Sequence, residues 1–319
     1  MKVILPSVEI LPYLDGKEIL KHLEKCGRVC YKSEDKISDI SSEKFLQGII
    51  KRGHEAVLEH ASFIFKVSYN VYKDIIDKVN FVESYYFKKM YLRFTDSDGY
   101  IISGNVRAWR DFFRFAGVPF YMNDFVETNS ILFPEFKNNS QFSFKEGKWS
   151  VRQISVNDLV SDCQRLVHED VSVRFVCDRG ISHEIVRHRD ASYCQESTRY
   201  CNYMKEKFGN EITVIQPCFF EKDSREYFIW ERNMECCEKS YFDLLDCGCS
   251  PQQARCVLPN SLKTEIIMTA NIREWRHFLE LRCSKAAHPQ MIEVACKVLT
   301  EFHLSIPVLF DDIWEEVYG

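Results

Sequence analysis

The 319-residue sequence has no uncharged apolar run approaching the roughly 20 residues that a membrane-spanning helix needs. Its start, Met-Lys-Val-Ile-Leu-Pro, turns polar too soon for a secretory leader, so a cytoplasmic protein without membrane contact is expected. No Cys-x-x-Cys occurs, although there are 14 cysteines. The spacings at Cys26 and Cys30, Cys236 and Cys237, and Cys247 and Cys249 suit no tetrahedral zinc site, so free thiols and no metal are expected. The Gly-x-Gly-x-x-Gly and Gly-x-x-x-x-Gly-Lys-Ser/Thr phosphate loops are both missing, which argues against Rossmann and P-loop nucleotide sites. Positive charge is not in excess: 42 Lys and Arg against 47 Asp and Glu leave −5, a poor balance for wrapping nucleic acid. No low-complexity tract and no convincing internal repeat stand out.

The composition, 45% hydrophobic and 28% charged, excludes a disordered or fibrous chain. Residues 2–10 read as a first strand, with helices at about 17–30 and 42–52, the second opened by Ser41 or Ser42 and closed by Gly53. ASFIFKVSY at 61–69 reads as a buried strand, followed by a helix over 70–90. YLRFT and YIISG around Asp96-Ser97-Asp98-Gly99 predict a hairpin, and Asn105 a cap for a helix carrying Val106, Trp109, Phe112 and Phe113. Residues 118–156 read as a loop-rich stretch, punctuated by Pro119, Pro134, Asn138, Asn139 and Gly147. A short helix at 157–167 leads to the strand VSVRFVCD and a turn at Asp178-Arg179-Gly180. A long helix covers 223–246, Ser250-Pro251-Gln252-Gln253 starts another, and two more lie near 273–283 and 289–304. The mixture predicts an α+β fold with a central mixed or antiparallel sheet and flanking helices, in a single domain over 1–319.

Several chemical readings fail on spacing. His183 and His188 are separated by five positions, one too many for the zinc-protease pair that shares a helix face. His54-Glu55 and Glu59-His60 fail similarly. Pro217-Cys218 resembles the Pro-Cys-His of Cys-dependent thymidylate synthases, but Phe219 stands in place of the His. The densest constellation is Arg187-His188-Arg189 running on through DASYCQESTRYCNY. Arg187, Arg189 and Arg199 supply forks that match phosphate oxygens. Ser192, Gln195, Ser197 and Thr198 suit the reading of a base or sugar, and Tyr193 and Tyr200 offer stacking faces.

Arg-His-Arg, then seven residues, then Ser197 resembles the signature of the flavin-dependent thymidylate synthases. Further blocks are similar to that family in the same order: GHEAVLEHASF at 53–63, ARCVLP at 254–259, NIREWRHFLELR at 271–282 and KAAHPQ at 285–290. The resemblance covers 41–69 and 169–300. Residues from about 70 to 165 read as an insertion that compact members lack.

The resemblance implies reductive methylation of dUMP to dTMP. Methylenetetrahydrofolate would be the one-carbon donor, FAD the hydride carrier and NADPH or NADH the reductant, with tetrahydrofolate released. It implies that Glu184, Ile185, Val186, Arg187, Gln195, Glu196, Ser197, Thr198, Arg199, Arg255 and Arg282 bind dUMP. Arg282 would also be catalytic, stabilising negative charge that develops on the pyrimidine. His60, Ser62, Arg187, His188, Arg189, Gln195, Asn271, Ile272, Arg273 and His277 would hold FAD, and His288 would lie near the substrate. Many members carry Glu at the position of Gln195, so a role needing a carboxylate there stays open. A homotetramer with shared sites is implied as well. A binding-only paralogue and a single-strand nucleic-acid module remain as alternative classes for the same residues.

Overall fold

The computed structural model describes residues 1–12, 18–86, 88–136, 148–205 and 208–319. The expected first strand is broken at Leu5-Pro6 into β1 (Lys2–Ile4) and β2 (Ser7–Leu11). Two amphipathic helices follow, α1 (Glu18–Val29) and α2 (Ser41–Lys51). Ser41 does not cap α2; it lies in the first turn and donates its hydroxyl to Glu24 at 2.8 Å. Gly53 ends this region at φ +71°, a conformation that costs a residue without a Cβ little.

Next come β3 (Ser62–Val67), α3 (Tyr69–Tyr86), the hairpin of β4 (Arg93–Thr95) and β5 (Tyr100–Asn105), and α4 (Val106–Ala116). Asn105 caps α4 as expected, its side chain accepting from the Ala108 amide at 2.8 Å. The stretch read as loop contains α5 (Asn123–Thr128) and β6 (Val151–Ile154); Asn138, Asn139 and Gly147 lie outside the described residues. The short helix is α6 (Asp162–His168), followed by β7 (Asp170–Asp178). Asp178 is not in a turn. It caps α7 (Arg179–Ile185), accepting from the Ile181 amide at 2.8 Å.

Then follow β8 (Ser192–Gln195), β9 (Thr213–Ile215), α8 (Arg225–Asp246) and α9 (Pro251–Ala254), the last with the expected Ser250–Gln253 capping box. The chain continues through β10 (Lys263–Asn271), α10 (Ile272–Arg282), α11 (Pro289–Ser305) and α12 (Asp311–Tyr318). Among the described residues no helix is long and apolar enough to cross a membrane.

The α+β class and the antiparallel pairing stand, but the strands form two four-stranded antiparallel sheets instead of one. One has the order β2-β7-β10-β8, the other β4-β5-β3-β6; β1 and β9 make a small parallel pair. Strand β10 escapes a periodicity reading because both its faces are covered. Ile266, Met268 and Ala270 pack under α10 and α11 with Trp275 and Phe302, while Ile267 packs the other way, against Leu11, Cys26 and Val57. The second sheet packs Phe63, Phe65 and Ile102 against Trp109, Phe112 and the α3 residues Val71, Ile75 and Val79.

Candidate functional site

The buried carboxylate of Asp178 fixes the start of α7 and is itself held by Gln290, whose amide donates at 2.7 Å. This helix presents Glu184, and its fully buried Ile185 anchors the end. The Tyr193 hydroxyl, on β8, reaches back to the carbonyls of Ile185 at 3.0 Å and His188 at 2.9 Å. The loop between is thereby tied down while Val186, Arg187 and Arg189 stay exposed.

Arg282, the last residue of α10, closes over this loop. Its Nη1 donates to the Glu184 carboxylate at 2.9 Å, its Nη2 to the Glu184 carbonyl at 3.2 Å, and its Nε to His188 Nε2 at 2.8 Å. Burial, with Arg282 and His277 nearby, lowers the His188 pKa to about 4, so the ring is neutral at ordinary pH.

The following polar residues are set by a charged layer that the sequence reading missed. Gln195 donates to Ser182 Oγ at 2.8 Å and Thr264 Oγ1 at 3.2 Å, so α7 and β10 orient its amide. Glu196 is buried and paired with Lys263 at 2.9 Å, while Lys263, Lys32 and Arg174 converge on Glu265. Burial would raise the Glu265 pKa, but Lys263 and Lys32 bring it down to about 2. The Ser197 amide donates to the Cys30 carbonyl at 3.1 Å, and Arg255 donates to Thr198 Oγ1 at 3.4 Å. Arg199 is exposed beside the Tyr200 ring, and Tyr200 in turn meets Tyr31. No motif marks Lys32, Lys263 or Glu265; the available signal was the unusual number of charges in a strand as buried as β10.

A cleft of about 790 Å³ opens on the other side of the loop, in the range of small-molecule and cofactor sites. Arg189, Asn271 and Arg273 line it. Arg189 has no ion-pair partner among the described residues, and Arg273 and His277 are exposed. The Asn271 side chain is committed to the frame: it caps α10 through the Glu274 amide at 2.9 Å and donates to the Val167 carbonyl at 3.2 Å. Ile272 is fully buried, and its amide donates to the Glu169 carbonyl at 3.0 Å.

His60 is buried at a small cavity that shares Asp170 and Thr269 with the cleft, with Nδ1 2.7 Å from Thr269 Oγ1 and no hydrogen-bond partner at Nε2 among the described residues. Ser62 donates to Asp170, a carboxylate that also receives both Arg93 nitrogens. His288 is exposed and caps α11, accepting from the Gln290 amide at 3.3 Å. Of the residues expected on the dUMP side, Arg282 meets Glu184 and Arg255 meets Thr198, while Gln195, Glu196 and Ser197 are held by other neighbours; of those expected on the FAD side, Arg189, Asn271 and Arg273 line the cleft and His60 and Ser62 line the small cavity beside it. The open volume and the guanidinium of Arg189, which has no ion-pair partner among the described residues, fit a dinucleotide diphosphate.

An arginine-rich loop on an α+β frame, between an oriented polar strand and a cofactor-sized cleft, defines a nucleotide-handling protein. The chain belongs to the family described as thymidylate synthase complementing protein, whose pattern matches residues 12–74 and 148–308. It is 34% identical over 168 residues to a flavin-dependent thymidylate synthase of Pyrococcus furiosus, a match covering 49% of this chain and 68% of that protein. The corresponding enzyme of Geobacter sulfurreducens is 35% identical over 134 residues, 42% of this chain and 56% of the relative. That of Pyrococcus horikoshii is 40% identical over 125 residues, 39% of this chain and 51% of the relative. These last two matches span only about half of the relatives' length. A solved thymidylate synthase X from Helicobacter pylori, with FAD and dUMP, aligns over 47% of this chain and 74% of its own at 20% identity and TM-score 0.36, a likeness too slight to carry an argument.

Proposed function

We propose that the protein is a flavin-dependent thymidylate synthase that methylates dUMP reductively to dTMP and releases tetrahydrofolate. One observation carries the reading: Arg282 is held by Glu184 and His188 at the edge of the Arg-His-Arg loop, within sequence blocks that belong to this family. Bound FAD would supply hydride chemistry, with NADPH or NADH as reductant and methylenetetrahydrofolate as the carbon source.

The chain's own residues take the following parts. Arg199, Arg255 and Thr198 bind the phosphate and sugar of dUMP, with Ser197 and Gln195 toward the base. Arg282, held by Glu184 and His188, turns its remaining N–H groups to the pyrimidine and stabilises negative charge there, which raises the nucleophilicity of carbon 5. No side chain serves as a nucleophile. Arg187 lies between the substrate and flavin sides. Arg189, Arg273 and His277 face the flavin, while His188, Asn271 and Ile272 hold the loop and helix that present them. His60 and Ser62 support the cleft from the small cavity beside it, and His288 borders the substrate. A cytoplasmic homotetramer with shared sites is the assembly this reading carries.

The test is an absorbance spectrum of the purified protein, then anaerobic NADPH, dUMP and methylenetetrahydrofolate. Flavin bleaching and dTMP formed with tetrahydrofolate are expected. A colourless protein that gains no activity when FAD is added, or one that releases dihydrofolate, refutes the proposal.

A further inference from the structure

The two four-stranded sheets are copies of one another. Their orders, β4-β5-β3-β6 and β8-β10-β7-β2, match strand for strand. In the first, Ser62 pairs with Asn105; in the second, Asp170 pairs with Asn271. Each Asn ends its strand and caps an 11-residue helix. The two helices share a sequence: Asn105, Arg107, Trp109, Arg110 and Phe112 recur as Asn271, Arg273, Trp275, Arg276 and Phe278. Both tryptophans are fully buried. Arg110 donates to the Leu132 carbonyl and pairs with Glu135, while Arg276 donates to the Leu309 carbonyl and pairs with Asp312. Leu132-Phe133 and Leu309-Phe310 are therefore equivalent as well. The helix entries agree too: the Val106 amide donates to Ala61 at 2.9 Å, and the Ile272 amide to Glu169 at 3.0 Å.

Contacts between the copies are reciprocal, as across a two-fold axis. His60, two residues before Ser62, has Nδ1 2.7 Å from the hydroxyl of Thr269. His168, two residues before Asp170, has Nδ1 2.7 Å from the hydroxyl of Ser103, the counterpart of Thr269. Ser62 and Asp170 are themselves equivalent and meet each other. The edge strands are exchanged: β2 joins the second copy's sheet, and β6 the first copy's. The stretch from 70 to 165, read above as an insertion, holds most of the first copy and the opening of the second, and the sequence reading that found no internal repeat is corrected.

The copies differ where the chemistry lies. Arg93 faces Ser103 as Ser192 faces Thr269. Counting back from there, Lys88-Lys89-Met90 stand where the second copy has Arg187-His188-Arg189. A turn over 96–99 replaces the whole segment carrying Glu196 to Arg199 and Arg255, and Ala116 stands at the place of Arg282. The first copy has no equipment for a pyrimidine, but it keeps cations. Lys88, Lys89 and Arg107 line the 790 Å³ cleft opposite Arg189 and Arg273. Lys88 pairs with Asp111 at 3.1 Å, Lys89 with Asp190 at 3.5 Å and Arg107 with Glu59 at 2.5 Å, but all three cations are open to solvent, where pairs are weak and exchangeable.

We propose that the first copy is a non-catalytic half whose Lys88, Lys89 and Arg107 complete, within the same chain, the site for a dinucleotide diphosphate held on its other side by Arg189 and Arg273. This rests on the flavin reading above, and the same chemistry would serve the nicotinamide dinucleotide. The test uses the full chain with Arg107→Gln, the double variant Lys88→Gln/Lys89→Gln, and Arg189→Gln for comparison. FAD affinity is read by flavin fluorescence on the apoprotein. Nicotinamide affinity is read from the NADPH dependence of flavin bleaching, dUMP affinity by calorimetry, and folding by thermal melts. Both first-copy variants should weaken FAD or NADPH by roughly tenfold or more, as loss of charge-assisted contacts does, with dUMP affinity unchanged. If FAD and NADPH bind both first-copy variants as they bind wild type while Arg189→Gln weakens binding, the assignment is overturned and the proposed reaction stands. Wild-type protein that binds no flavin overturns the reaction itself. The exposed lysine pair keeps the test open should Arg107→Gln disturb folding.

Discussion

Arg282 Nε donates to His188 Nε2 over 2.8 Å, and that contact fixes the imidazole's tautomer. An arginine Nε–H can only donate, so Nε2 must carry the lone pair and Nδ1 the proton. The arrangement couples the end of α10 to the Arg-His-Arg loop, and a protonated His188 would break it.

The first prediction follows directly. With its pKa lowered to about 4, His188 should stay neutral from pH 8 down to about 5. Nitrogen-15 NMR of labelled protein should show the Nδ1–H tautomer throughout that range. An imidazolium at this position at pH 6 would contradict the geometry.

Three further histidines make the fold sensitive to acid. Burial lowers the pKa of His22 to about 4, of His60 to about 3 and of His168 to about 3. The unfolded chain takes up these protons as pH falls below about 6.5, whereas the native state does not until pH 4 to 3. Between those limits the unfolded state binds more protons, so stability declines as pH falls, by at most about 1.4 kcal/mol per pH unit for each histidine. Urea unfolding at pH 8, 6 and 5 should show the decline beginning near 6.5. Stability that holds level or rises toward pH 5 would show that these rings are not buried neutral.

Elements whose chemistry is local were legible in the sequence. Asn105 with its apolar helix face, the Ser250 capping box and the hairpin at Asp96 to Gly99 each depend on neighbouring residues. Strand β10 was not legible, because a strand covered on both sides loses its alternation, and Thr264 and Glu265 interrupt its apolar run. Asp178 read as a turn because the same residue type serves turns and helix caps. The candidate dUMP residues were found through family motifs, but Lys263, Glu265 and Lys32, which brace Glu196 and the loop, belong to no motif. The duplication was hidden for another reason. Only the strand registers bring Lys88-Lys89-Met90 to the place of Arg187-His188-Arg189, and the one segment that stayed alike, Asn-x-Arg-x-Trp-Arg, is short.

No cysteine is expected to be essential. Cys218 is exposed, partial desolvation with Glu293 nearby raises the pKa of its thiol, and Phe219 occupies the position where the Cys-dependent enzymes have His. Cys218→Ser should leave turnover within about tenfold of wild type, a barrier change near 1.4 kcal/mol. Abolished turnover in a variant that still folds and binds flavin would mean that a covalent step had been overlooked.

The last prediction separates two arginines, Arg199 and Arg282. Arg199 is exposed and pairs with no carboxylate among the described residues, so it is free to take a charge present from the moment dUMP binds. Arg282 is already engaged by Glu184 and His188, which hold its guanidinium in place before substrate arrives. A group held in advance contributes most where charge develops, and a mobile one contributes equally to ground and transition states. Arg199→Ala should therefore raise KM for dUMP by roughly 10- to 100-fold with little change in kcat. Arg282→Ala should lower kcat by roughly 100-fold or more. Flavin reduction by NADPH alone should survive in both, since neither side chain lines the cleft. Tritium release from 5-tritiated dUMP measures the first two quantities, and stopped-flow bleaching the third. If Arg282→Ala alters only KM, the residue clamps the substrate and its held geometry does nothing for the chemical step.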